Sequence, residues 1–362
     1  LLYAASPLHN PENDVTKWEA AAAAANELIT NPDLNYSLDP SYGSYFVGGN
    51  PLTSPETIYC VRRAQSNNME KNNYPIATQG GKSGAAPTHN LVAAYEYIGT
   101  PDPANPYANR DPRLTQCIRP KYCIKGLDNK PFNYALSGYS WNKFMDDSKA
   151  DKPEPTWARE KNITDAPCVR YAEVLLNYAE AAYELHLLTG AAFTQADLDK
   201  SINLIRARAD VNLPALQIVG DQPAINGVAF DDPKRLEIEK NADGGITPAL
   251  LWEIRRERRV ELCMEGFRLN DLKRWCKLDY LWNGCNPDIR YGAYIRLSDY
   301  PTRGTEVVLE DPNATEGYIL RNTLGQRNRP IKRNYINPIP SGQITLYKTK
   351  GYTLSQNTEW GW

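Results

Sequence analysis

Residues Leu250–Leu278 read LLWEIRRERRVELCMEGFRLNDLKRWCKL, and the spacing within them decides the fold class. Glu253, Glu257, Glu261 and Glu265 recur every four residues, which places four carboxylates on one stripe of a helix. Like charges at that spacing destabilise a helix, so the stripe needs cations. Arg256 lies three residues after Glu253, Arg258 three before Glu261, and Arg268 three after Glu265. Leu251, Ile254, Leu262, Leu269 and Leu272 provide the apolar stripe of a core-facing helix. Thr247-Pro248 fits an N-cap with proline at the first helical position, and Gly266 a break before a second short helix. The spacing therefore predicts charged core helices over 247–278, with Glu253, Glu257, Arg258, Glu261, Glu265 and Arg268 forming an ion network inside a larger helical body.

The chain has 362 residues, enough to bury a sizeable core as one domain. A net charge of -2 leaves no basic footprint for nucleic acid and no polybasic membrane patch. No apolar run approaches the length of a membrane span, and no signal peptide or lipidation motif is present. Seven cysteines form no C-x-x-C pair, so zinc is not expected; Cys117 with Cys123, or Cys276 with Cys285, could close a local disulfide in an oxidising compartment. Tyrosine is abundant at 23 against six phenylalanines, and a ring with a polar tip suits wet binding surfaces.

Outward from the charged stretch, Thr16-Lys17-Trp18-Glu19 has the form of a capping box opening a helix through Ile29, with Trp18, Ala22, Ala25 and Ile29 on one face. Thr88 to Ile98 reads as a short helix. Thr164 to Leu188 is the clearest amphipathic pattern, with Leu175, Tyr178, Ala182 and Leu185 on one face and Glu173, Glu180 and Glu184 on its flanks. Asp197 to Ala209 reads as its partner, Leu198, Ile202 and Ile205 inward, Arg206 and Arg208 near the end where cations suit the dipole. Such a pair is like a tetratricopeptide unit, which makes 1–30 and 164–210 a helical scaffold. Residues 31–163 and 280–362 read as loop-rich; Gly304 to Leu309 could pair locally, without a sheet being implied. The opening LLYAASPLHNP reads as the end of a helix begun further upstream.

Catalytic patterns are sparse. His9, His89 and His186 are scattered, with no H-E-x-x-H, no G-x-S-x-G elbow, and only a turn-like G-K-S within Gln79–Gly84. Paired carboxylates hydrolyse glycosides, so a helical glycoside hydrolase using Glu257 or Glu261 is one reading. Each glutamate has an arginine within a turn, which favours a structural network. The aromatic loop residues Tyr42, Tyr45, Phe46, Tyr74, Tyr139, Trp141 and Trp157, set among Asn, Ser and Asp, are the candidate ligand-binding residues. Sugar rings stack an apolar face on such rings while amides and acids take the hydroxyls.

In their order, LLYAASPLHN, TKWEAAAAAANELI, PTHNLVAAYE, DPRL, GYSWNKF, RYAEVLLNYAEAAYEL, INLIRARADVNLP, RRERRVELCMEGFRLNDLKRW, YINPIPSGQITL and a terminal SQN resemble the SusD/RagB family of Bacteroidota almost end to end. The resemblance implies a mainly α, SusD-like tetratricopeptide superhelix with long irregular loops and little β. It implies a surface-exposed outer-membrane lipoprotein that binds an oligosaccharide, or in some members a peptide. Such a protein delivers its ligand to a SusC-like TonB-dependent transporter and performs no catalysis. No cofactor, metal or nucleic acid is implied, and membrane attachment would run through an N-terminal lipid anchor that this chain does not contain. A tetratricopeptide scaffold serving protein partners alone is a third reading.

Overall fold

The computed structural model describes residues 1–62, 86–102, 105–119, 137–144, 164–299, 308–320 and 328–360. Helix α1 (Val15–Thr30) begins at Asp14, whose carboxylate accepts from the Thr16 amide at 3.0 Å and from the Thr16 hydroxyl at 2.6 Å. The cap is therefore Asp14, and Thr16 is its donor rather than the start of a capping box. Trp18, Ala21 and Ala25 are buried, and the small residues let α1 lie close against helix α2 (Tyr171–Thr189). Helix α2 starts later than its sequence pattern suggests. Residues Ala166–Arg170 instead form a strand paired antiparallel with Thr57–Val61, Thr57 opposite Arg170 and Val61 opposite Ala166. It ends at Gly190, whose φ of 75° supplies the left-handed cap that favours glycine.

The segment expected as one partner helix is two short turns, Gln195–Asp199 and Ile202–Arg206. Ser201 separates them and turns its hydroxyl onto the Asp197 carbonyl, so the side chain competes with the helical ladder. Leu198, Ile202 and Ile205 are nonetheless fully enclosed, each contributing roughly 2 kcal/mol of apolar burial. Helix α2 packs most extensively on α1, and then on helix α3 (Ala249–Glu261), rather than on this broken segment. A three-stranded antiparallel meander follows over 216–229, Leu216 opposite Ile225 and Ala224 opposite Ala229. Its two turns, Gly220-Asp221 and Asn226-Gly227, all have positive φ, the backbone a right-twisted hairpin requires.

The N-cap of α3 is Pro248, one residue later than expected, and the Thr247 hydroxyl bonds Glu239 instead. Met264 and Gly266, at φ 64° and 86°, turn the chain into helix α4 (Phe267–Arg274). Helix α3 stands between two cores. Leu250, Leu251 and Ile254 join the helical one with Leu175, Leu176 and Tyr183. Val260, with Cys263 just beyond, joins an aromatic one containing Tyr42, Tyr45, Phe46, Tyr95 and Leu114. That second core is closed by a three-stranded antiparallel sheet within the region read as irregular: β1 (Tyr291–Arg296), β2 (Val308–Leu309) and β3 (Glu316–Leu320), with β3 in the middle. Ala293, Ile295, Leu309 and Ile319 face the core, so the alternate residues of β1 and β3 face outward.

Candidate functional site

The glutamate stripe that runs along α3 and just past its end meets four arginines and a lysine from four other parts of the chain. Arg113 reaches Glu257 at 3.0 Å and Glu261 at 3.1 Å, and Arg206 reaches Glu257 at 2.5 Å. Arg170 bridges Glu56 at 2.6 Å, Glu261 at 2.7 Å and Glu265 at 2.7 Å, while Arg208 adds 3.0 Å to Glu261 and Lys143 adds 2.7 Å to Glu265. Of the three local pairings expected, Glu253–Arg256 forms. Arg258 instead turns to Asp271 at 3.0 Å and Asn177 at 2.8 Å, because α4 folds back beside it. Arg268 makes no ion pair among the described residues; its guanidinium lies 5.8 Å from the Trp275 ring centre. Glu180, expected on a flank, is buried and held end-on by Arg274, whose Nη1 and Nη2 each donate to it at 2.6 Å.

Burial opposes ionisation of Glu257, yet Arg113, Arg206 and Arg256 outweigh it and hold its pKa down at about 2. Burial likewise opposes ionisation of Glu261, and Arg208, Arg170 and Arg113 hold it well below the usual carboxylate range. Both side chains are fully enclosed. A general acid must keep its proton near the working pH and touch the leaving group; both glutamates are ion-paired and shut away from solvent.

The aromatic residues singled out from sequence divide. Tyr42, Tyr45 and Phe46 lie in the core at 0–1% exposure, because Tyr42–Tyr45 is a helical turn capped by Ser41 and not an open loop. The polar tip of Tyr42 is satisfied internally: its hydroxyl donates to the Glu261 carbonyl at 2.9 Å and accepts from Lys143 at 2.8 Å. Trp141 pairs with Ile118 across two short strands and packs half-buried on the same core. Tyr139 is buried with its hydroxyl 3.4 Å from His89 Nδ1. Tyr74, Trp157 and the Gln79–Gly84 turn lie outside the described residues. Of the suggested disulfides, Cys276 and Cys285 are separate thiols, the latter donating to the Ile238 carbonyl at 3.0 Å, while Cys123 lies outside the described residues.

The open aromatic surface is on the sheet. Tyr318 on β3 sits opposite Tyr294 on β1. Its ring is stacked with Tyr291 at 5.5 Å and 22°, meets Tyr294 edge-on at 5.3 Å and 84°, and lies 4.5 Å from the His89 ring. Tyr294 is 50% exposed, and Arg296 and Glu316 pair at 2.9 Å along the same face. Tyr291 is anchored by its hydroxyl on Glu310. The result is a row of rings braced by one another, with charged groups beside them, on a rigid element. Burial lowers the pKa of His89, so its imidazole is neutral at ordinary pH. Sequence reasoning passed over Tyr291, Tyr294 and Tyr318. The available signal was the outward alternation of Tyr294 with Ala293 and Ile295 and of Tyr318 with Ile319, visible only once both strands are paired; Tyr291 shares the parity of the core residues and comes beside Tyr318 at a register shift.

A cavity enclosing about 660 Å3, its open mouth included, lies beside this platform. The short helix His89–Ala93 joins the two, its His89 on the platform and its Asn90 in the cavity wall. Arg255, Arg259, Arg268, Trp252 and Trp275 contribute to the rest of the wall.

The SusD family model matches residues 55–360, and the chain belongs to that family. Among solved structures, the chain is similar to a SusD-like carbohydrate-binding protein from Bacteroides fragilis NCTC 9343, with 23% identity and a TM-score of 0.65, over 91% of this chain and 60% of that one. A second SusD-like protein from the same organism matches with 22% identity and a TM-score of 0.60, over 95% and 62%. Surface glycan-binding protein A from Bacteroides fluxus matches with 17% identity and a TM-score of 0.54, over 95% and 59%. At these identities the likeness is one of fold, and the chain spans about three fifths of each structure's length. No curated protein sequence matches the chain. No described helix is long and apolar enough to cross a membrane.

Proposed function

We propose that this chain binds an oligosaccharide on the Tyr291–Tyr294–Tyr318 face and hands it, chemically unchanged, to a SusC-like TonB-dependent transporter in the outer membrane. A lipid anchor at the cell surface fits that role. The observation that carries the reading is the mutually braced row of tyrosines on β1 and β3, with Tyr294 exposed and Tyr291 and Tyr318 half-buried beside it. Membership of the SusD family supports it, as do neighbours described as carbohydrate- and glycan-binding. Sugars present flat C–H faces that stack on such rings, while Arg296, Glu316 and the phenols offer hydrogen bonds to hydroxyls. The enclosed, ion-paired glutamates of α3 support binding without turnover at that stripe.

The test is a glycan and peptide array followed by calorimetry on the hits, with Tyr318→Ala as the probe of the platform. Binding to glycans that Tyr318→Ala weakens, with no new reducing ends after long incubation, is the expected result. Binding to peptides alone, or hydrolysis of a bound glycan, would overturn it. Co-purification with a large outer-membrane barrel protein tests the transporter.

A further inference from the structure

The cavity beside the platform holds more positive charge than it answers. Its wall carries Lys234, Arg255, Arg256, Arg259 and Arg268 against two carboxylates, Asp232 and Asp288. Three of the cations are satisfied. Lys234 pairs with Asp288 at 2.8 Å, Arg255 with Glu184 at 2.9 Å, and Arg256 with Glu253 and, at 3.2 Å, Glu96. Two are not. Among the described residues, Arg259 has one hydrogen bond, 2.7 Å to the neutral amide oxygen of Asn90, and no carboxylate lies within ion-pair distance of Arg259 or Arg268. Asp271, three residues beyond Arg268, is already shared by Arg258 at 3.0 Å and Arg274 at 2.9 Å, and Glu265, three before it, is held by Arg170 and Lys143 at 2.7 Å each.

Both side chains are half-buried in the wall, where a cation without a counter-ion is disfavoured, and these two also repel each other. Burial lowers the Arg259 pKa to about 10; burial and then the Arg259 guanidinium lower that of Arg268 to about 9. An oxyanion entering from the mouth would relieve both at once, and the planar guanidinium fork suits a carboxylate or sulfate. Trp252, Trp275 and Tyr280 line the same space, so the anion would be carried on a ring or apolar body. Asp288 in the wall is three residues from Tyr291, and Asn90 in the wall adjoins His89, whose ring lies 4.5 Å from that of Tyr318, which sets the cavity next to the platform.

We propose that this cavity seats the carboxylate or sulfate of an acidic saccharide between Arg259 and Arg268, while neighbouring sugar rings lie on Tyr291, Tyr294 and Tyr318. The proposal rests on the saccharide-binding reading and names its ligand class.

The experiment is calorimetric titration of the protein with tri-galacturonate, its methyl-esterified form, and a sulfated galactose trisaccharide with its unsulfated parent. At least one acidic ligand should bind about ten-fold or more tightly than its neutral counterpart, and its affinity should fall with added sodium chloride. Which acidic ligand wins assigns carboxylate or sulfate. In Arg259→Gln and Arg268→Gln the preference should shrink to within about two-fold, leaving neutral binding unchanged. Wild-type salt dependence keeps the test decisive should either variant fail to fold. Equal affinity for acidic and neutral ligands sinks this proposal and leaves the platform reading standing; loss of all glycan binding on the array sinks both. A crystal structure with a protein carboxylate between Arg259 and Arg268 would also overturn it.

Discussion

Arg113 and Glu261 are 148 residues apart in the chain and 3.1 Å apart in the fold, both with no solvent exposure. A buried ion pair of this kind gives little net stability over an apolar pair, but losing one member leaves a bare charge in the interior. The network therefore acts as a specifier: each guanidinium fits where two or three carboxylates converge.

Arg170 shows this most sharply, since it serves Glu56, Glu261 and Glu265. Arg170→Met should destabilise the protein by about 3–5 kcal/mol in urea unfolding. A loss below about 1 kcal/mol would mean that Arg208 and Lys143 neutralise the glutamates without it.

Acid should unfold the protein through the same groups. Glu257 and Glu180 each titrate at about 2 in the fold against 4.5 when unpaired. Their folded pKa is depressed, so their stabilisation is complete above about pH 4.5 and lost progressively as pH falls toward 2. Thermal melting across that window should show a steep decline in Tm; a flat profile from pH 5 to about 2.5 would contradict the depressed values.

Gly292 is the position on the platform strand where side-chain bulk is least tolerable. A Cβ there would lie 2.2 Å from the Ser137 carbonyl oxygen, a backbone atom that already accepts from the Ala293 amide at 2.7 Å. Gly292→Ala should cost about 1–3 kcal/mol by forcing the strand away, and should weaken ligand binding as Tyr291 and Tyr294 shift. Unchanged melting would show that the backbone at Ser137 yields freely.

Tyr294→Ala should weaken oligosaccharide binding by about 1–2 kcal/mol, the scale of one lost aromatic contact, without changing the melting temperature, because half of the ring is in solvent. Tyr42→Ala should do the reverse, lowering stability by about 3 kcal/mol or more through a core cavity. The two variants measured side by side separate a binding ring from a packing ring.

The scaffold was legible where local spacing carries the information. The period of Glu253 to Glu265 announces a helix and its need for cations, and Leu198, Ile202 and Ile205 announce a buried face. The cations that answer were not legible, because Arg113, Arg170, Arg206 and Arg208 come from elsewhere in the chain and only Arg256 is local. Asn226-Gly227 was a readable hairpin signal that was passed over. Tyr42, Tyr45 and Phe46 sit among Ser and Gly, as loop rings do, yet one turn of helix aims them inward. Tyr294 and Tyr318 become a surface only through cross-strand pairing, which no single window reveals.

The placement of α3 between two cores also bears on how the molecule is made. Arg113 and Arg170 are synthesised long before Glu257, Glu261 and Glu265 can answer them, so a nascent chain ending short of α3 offers Arg113 only Asp111 and Arg170 only Glu56, without the carboxylates that complete each cluster. Neither core can close around half-answered cations without the cost of dehydrating them. Assembly of both halves should therefore wait on arrival of one late segment, giving a slow, all-or-none folding step governed by distant pairings.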